Sequence, residues 1–399
     1  MWDVRRGGWH FDRRGGNHEM KQTELKALFD RLGWKWMELT AEGGGRVLVL
    51  ERGCRVIGVF ADESSENAVW VRPELAGLAS GEAVNDLEAH WNVGGDRTFI
   101  SPEMEYFYDP SAGCFVFPPA LDPGQYSADM DAHFTIMAKQ SIRVRAFRAG
   151  KDVAINMYKE IRLVPDPLLP LKPAKGLGYS FVGYEVVCAA EIGGGSLFDL
   201  GETSDTASTT ETASAYAYNA AATGVVEDEG ALPPFSLWNL IQVPATGEAI
   251  MPTHGEADAV PFLLGQGMEG TRTEEGAVRF RIDGRIKRKI SIRAAEAKDR
   301  IGYLRVAEDG TYYLLVRSFN MDRAGAYGDV PLDRPEESGH CVQCYNDDGT
   351  LGGFGEIEYH TPLMGPGQRK MTDISQVWCY SGDEEQIGKV ATELLGVRL

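Results

Sequence analysis

The chain contains no apolar run of about 18 residues, the length a membrane-crossing helix needs, so no transmembrane helix is expected. Its opening stretch is equally poor in apolar residues: residues 1–20 carry Arg and Gly but no hydrophobic segment of the kind a secretory leader requires. These two absences read as a cytoplasmic protein. Residues 1–20 read as an N-terminal extension, because Met20-Lys21-Gln22-Thr23-Glu24-Leu25 makes a suitable start for a folded domain covering 21–399. Basic residues are also in deficit. There are 40 Lys and Arg against 59 Asp and Glu, a formal charge of -19, and such a surface repels nucleic acid and anionic membranes. A small neutral carbohydrate suits it better than a polyanion.

Cysteine is sparse. The six residues Cys54, Cys114, Cys188, Cys341, Cys344 and Cys379 are scattered, which suits a reducing compartment and buried single thiols. Only Cys341 and Cys344 have ligand-like spacing, without a second pair, and in a strand they would point to opposite faces. No metal is implied. A nucleophile elbow, a P-loop and a dinucleotide fingerprint are absent too: Gly193-Gly194-Gly195 lacks the strand-to-helix setting that would make it bind phosphate, and no cofactor is implied. Internal repeats and a Pro-rich linker are missing as well. With 43% hydrophobic and 25% charged residues in 399, the chain is expected to be one large, mainly β domain with a few short helices.

The elements themselves are readable. Leu25, Leu28, Phe29 and Leu32 are spaced for an amphipathic helix that stops at Gly33, and Ile387, Val390, Ala391 and Leu394 predict a second one near the C-terminus. Residues 45–53 and 55–60 read as a β-hairpin across a Gly turn, and Ala68-Val69-Trp70-Val71 as a third strand. Strand-sized runs recur at 140–147, 153–163, 179–187, 287–293 and 311–317, and the alternation in 154–163 predicts half-buried antiparallel strands. The Thr-, Ser- and Ala-rich stretch 201–218 is expected to be a mobile surface loop, or a lid.

Three stretches carry residues capable of chemistry. In the first, His90 precedes Gly94-Gly95-Asp96-Arg97, a short apolar strand and Ser101-Pro102-Glu103. The glycine turn would bring His90, Arg97 and Glu103 to one strand end, where the Arg fork offers paired donors to vicinal hydroxyls or a carboxylate. A plain surface ion pair of Arg97 with Asp96 or Glu103 is the alternative. In the second, Glu356, Glu358 and His360 are two residues apart, so in a strand all three leave one face while Ile357 and Tyr359 leave the other. Crowded carboxylates of this kind are raised toward the range of a general base, unless the stripe simply faces solvent. In the third, Trp238, Asn239 and Gln242 lie in one apolar run, with His254 following beyond Pro252. Trp238 could stack on a sugar ring, with Asn239 or Gln242 bonding its hydroxyls, or it could belong to the core.

Together with residues 47–60 and Glu74, with Ser236-Leu237-Trp238-Asn239-Leu240-Ile241-Gln242-Val243-Pro244, and with Tyr359-His360-Thr361-Pro362 and Pro366-Gly367, these stretches resemble the galactose mutarotase-like superfamily. The likeness is to bacterial branches outside the true aldose 1-epimerases. It implies an antiparallel β-supersandwich with a carbohydrate site on its concave face. It also implies general acid–base catalysis at the anomeric carbon, in which a Glu near the C-terminus takes the anomeric proton and a His protonates the ring oxygen. The matching carboxylate is Glu358, with Glu356 as second choice; Arg97 and Glu103 would orient hydroxyls. The family's mid-chain His has no counterpart before Trp238-Asn239-Leu240, which leaves His254, His90 and His360 as candidates for the acid. A non-catalytic carbohydrate-binding protein and a lyase-like eliminase are the alternatives.

Overall fold

The computed structural model describes residues 19–78, 92–193 and 232–399, apart from 264, 332 and 335. His90 and the stretch 201–218 lie outside the described residues. The chain forms two large antiparallel sheets. One has nine strands in the order Trp36–Thr40, Arg46–Leu50, Arg55–Phe60, Asp96–Ser101, Ser236–Pro244, Phe354–His360, His340–Asn346, Arg288–Arg293 and Val260–Pro261. The other has ten: Thr271–Glu274, Ala277–Ile282, Gly247–Pro252, Arg300–Val306, Tyr312–Phe319, Lys370–Gly382, Ser180–Ile192, Lys151–Leu163, Ile136–Ala146 and Ser127–Met130. The mainly antiparallel β architecture is as expected, and among the described residues helices are confined to short pieces and to segments near the two ends.

Those ends follow the sequence pattern closely. The first helix, α1 (Gln22–Leu32), buries Leu25, Leu28, Phe29 and Leu32 and stops at Gly33, whose φ of 67° suits a residue without a Cβ. A four-residue helix, α2 (Glu103–Tyr106), follows the strand Asp96–Ser101. Near the C-terminus Glu384–Leu395 buries Ile387, Val390, Ala391, Leu394 and Leu395, and its N-cap Asp383 accepts a hydrogen bond from the Gln386 N–H at 2.8 Å. No helix among the described residues is long and apolar enough to cross a membrane.

Two expectations need correction. Ala68-Val69-Trp70-Val71 is no ladder strand. The Ala68 N–H bonds to Val59, the Trp70 N–H to Gln242, and Val71 makes an isolated bridge to Gly94, so the segment crosses strands instead of pairing along one. Five of the six thiols are buried as expected, but Cys114 is exposed, because it sits in the small hairpin of Tyr108–Asp109 with Cys114–Phe115 outside both sheets.

The core lies between the sheets, and strand alternation decides what enters it. Ile241, Ile357 and Tyr359 face inward, Tyr359 stacking on Phe319 of the ten-stranded sheet with centroids 4.1 Å apart. A buried polar layer shares this space: Asp96 pairs with Arg317 at 2.7 Å and accepts from the Tyr184 hydroxyl at 2.8 Å, while Asp373 accepts from Tyr359 and Asn239.

The glycine pair that opens the strand Asp96–Ser101 is a tight packing point. Gly95 has φ of 83°, and a Cβ there would lie 2.4 Å from the Val56 carbonyl; at Gly94 it would lie 2.2 Å from that of Trp70. Gly95→Ala is therefore expected to destabilise the protein by more than the roughly 1–2 kcal/mol of left-handed backbone strain alone. The check is equilibrium urea unfolding, and a change under about 0.5 kcal/mol would contradict the close approach.

Candidate functional site

Register sets out the outer face of the nine-stranded sheet as rows. Gln242, Glu356, Tyr345 and Lys289 lie directly across from one another on four successive strands. The next row runs Arg97, Leu240, Glu358, Gln343 and Ser291, and the one beyond it Phe99, Trp238 and His360. Because side chains alternate along each strand, every residue of these rows points away from the inter-sheet core. The face is nevertheless buried, as α2, the 108–115 hairpin and the loops carrying Phe262, Asp329 and Leu351 close over it.

They enclose a cavity of about 330 Å³. Its polar lining includes Arg97, Glu103, Lys289, Asp329 and Glu356, and its walls are aromatic, among them Phe99, Phe117, Trp238, Phe262 and Phe354. An apolar pocket with a few convergent charged groups is the usual form of a small-molecule site.

The charges interlock. Lys289 Nζ lies 3.0 Å from Glu358 Oε2 and 3.8 Å from Glu103 Oε2, and sits over the rings of Trp238 at 4.8 Å and Phe262 at 5.4 Å. Trp238 Nε1 donates to the same Glu358 oxygen at 2.7 Å. Arg97 is held from behind by Asp122, at 2.7 Å, and by Asn92, at 3.0 Å, and reaches Glu356 at 3.4 Å. Gln242 donates to Glu356 at 2.9 Å. Asp329 accepts from the Ser101 hydroxyl at 3.1 Å and from the Glu103 N–H at 2.7 Å, which ties α2 to the end of its strand.

Burial pushes the carboxyls of this cluster up, against the pull of Lys289. Glu356 is pushed up to about 7, chiefly by burial and then by Glu358, against the pull of Arg97 and Lys289. Glu358, Glu103 and Asp329 are raised as well, burial being the main cause in each. Burial alone would depress Lys289, but Glu358, Glu103, Asp329 and Glu356 together hold it above the ordinary lysine value, so its ammonium persists. His360 is held well below the usual range by burial and by Lys289, and is neutral.

The sequence-derived candidates divide accordingly. Arg97, Glu103, Trp238 and Glu356 come together at the cavity. Glu358 sits in the same cluster but beneath it, fully buried behind Lys289 and Trp238. Gln242 is also beneath, supporting Glu356. His360 stacks on Trp238, with centroids 5.7 Å apart, and its Nδ1 lies 3.2 Å from the Ser101 hydroxyl, so it packs behind the ring. Asn239 points the other way, into the inter-sheet layer, where it meets Thr98 and Asp373. His254 is exposed after the strand Gly247–Pro252, with its N–H on the Glu296 carbonyl, and does not line the cavity. His90 lies outside the described residues. Among the described residues, no group of three or more His, Cys, Asp or Glu is placed to hold a metal ion.

Lys289, Asp329 and Asp122 escaped the sequence reading. Residues 287–293 read as one more strand, and only the partner strands show that Lys289 lies on the outer face, in the row of Glu356. Asp122 and Asp329 sit in irregular segments without periodicity.

Fold and site together define a mainly antiparallel β-sandwich with an aromatic-walled, carboxylate-rich cavity on the outer face of one sheet. No protein-family model matches the chain, and no curated protein matches it. Some solved structures are similar to it at low identity. It is similar to the GalM/aldose epimerase homologue from C. elegans, at 8% identity over 88% of this chain and 99% of that one, with a TM-score of 0.38. It is likewise similar to the galactose 1-epimerase from Lactobacillus acidophilus NCFM, at 8% identity over 88% of this chain and 95% of that one, with a TM-score of 0.39. Chemistry has to be argued from the cavity itself.

Proposed function

We propose that the cavity binds a small carbohydrate and that the protein is an aldose 1-epimerase-like isomerase, exchanging configuration at the anomeric carbon by general acid–base catalysis. The observation that carries this reading is Glu356. It is the carboxylate of the central strands that borders the cavity, and at about 7 it is poised to accept and return a proton near neutrality. The motif resemblance favoured Glu358 first; its burial under Lys289 favours Glu356 as the base and Glu358 as its support. In this reading Arg97, braced by Asp122, and Glu103 on α2 orient hydroxyls from the cavity wall. The aromatic walls suit the apolar faces of a sugar ring.

The test is two-dimensional exchange NMR on a panel of free aldoses with the purified protein. The reading expects α and β anomers of at least one sugar to interconvert faster than in buffer. Saturable sugar binding without any acceleration would reject the isomerase and leave a carbohydrate-binding protein.

A further inference from the structure

Lys289 is the cavity residue that neither the motifs nor the role of Glu356 accounts for. It is buried, yet it lines the cavity. Its ammonium is fixed from three sides: Glu358 at 3.0 Å, the Trp238 ring at 4.8 Å and the Phe262 ring at 5.4 Å. A lysine serving only to neutralise Glu358 would not need to border open space. It shares a row with Glu356 two strands away, so the two backbones stand about 10 Å apart, and their side chains reach toward the same volume from opposite ends. A sugar ring fits between a proton acceptor on one side and a cation on the other.

We propose that Lys289 is a catalytic residue, its ammonium donating to the sugar ring oxygen as the ring opens, with Glu358 as the positioning residue that aims it. This rests on the anomeric exchange proposed above. As Glu356 removes the proton from O1, the O1 electron pair forms the C1=O bond and the C1–O5 bond breaks. Its electrons pass to O5, which takes a proton from Lys289, giving the open-chain aldehyde and leaving an amine beside Glu358. After rotation about C1–C2, O5 attacks either face of C1 and returns its proton to Lys289, while Glu356 returns its own to O1. Nothing is consumed. The candidate histidines are not required for this cycle.

The experiment compares Glu358→Gln with the double variant K289M/E358Q, which removes the ammonium without stranding a buried carboxylate. Glu358→Gln loosens Lys289 and is expected to lower kcat about tenfold; the double variant should lose at least about another tenfold, with KM within a few-fold of wild type. Compared with Glu358→Gln, the lower limb of the double variant's pH–rate profile should lie at higher pH, because the Lys289 charge that favours ionised Glu356 is gone while residue 358 is neutral in both. Lys289→Arg keeps the ion pair but displaces the donor, and should cost about tenfold in kcat. A double variant as fast as Glu358→Gln, or a Lys289→Arg variant as fast as wild type, would overturn the proposal while leaving the isomerase reading intact. Absence of exchange in the wild type would overturn both.

Discussion

Glu356→Gln is expected to slow anomeric exchange by about 10²–10⁴-fold, the usual loss when a general base is removed, with sugar affinity changed only a few-fold. Glutamine keeps the shape and the contact with Gln242 but cannot take the proton. Exchange NMR gives the rate and calorimetry the affinity; a variant retaining a tenth of the activity would show that the proton goes elsewhere. The pH dependence has a definite sign. A base acts in its ionised form, so with Glu356 held at about 7 the wild-type rate should climb as pH rises toward 7 and level off above it, and this limb should vanish in the variant. For folding the sign is opposite. A carboxyl raised above its ordinary value of 4.5 binds its proton more tightly in the native state, so its stabilising contribution is complete below 4.5 and lost as pH rises through about 7. The site thus works best where this residue least supports the fold.

The second large effect is expected at Asp122. Its carboxylate accepts from Arg55 and, at 2.7 Å, from Arg97, and all three side chains are buried. Asp122→Ala strands two guanidiniums in the interior, and breaking a buried ion pair from one side costs about 3–5 kcal/mol. Urea denaturation should show a midpoint lowered accordingly. Any folded fraction should also bind sugar more weakly, because Arg97 loses its brace. A loss under about 1 kcal/mol would mean that water reaches this network.

Much of the fold was legible because its elements carry strong local signals. Leu25 to Leu32 repeat at helical spacing and end on a glycine, and the 45–60 hairpin alternates around its turn. Glu356, Glu358 and His360 were correctly placed on one face, with Ile357 and Tyr359 on the core side, because alternation is a property of the strand alone. Depth was not legible. Nothing local distinguishes Glu356, which borders the cavity, from Glu358 two residues on, since Lys289 and Trp238 cover only the latter and come from strands remote in sequence. The same holds for Asn239, whose neighbours Trp238 and Gln242 face outward while it faces Asp373. Ala68-Val69-Trp70-Val71 misled because composition marks extended backbone but not whether one neighbour will pair with it throughout.

The strand Asp96–Ser101 threads two separate polar systems with alternate residues: Asp96 and Thr98 serve the layer between the sheets, and Arg97 serves the cavity. Insertion or loss of a single residue ahead of it would exchange the two sets, thrusting an acid into the cavity and an arginine against Arg317. Over evolutionary time such a site can diversify by substitution, one outward residue after another, while length variation is confined to the loops that roof it. New specificities would then be sought in the 108–115 hairpin and the segments around Phe262 and Leu351, with the underlying rows left as an invariant grid.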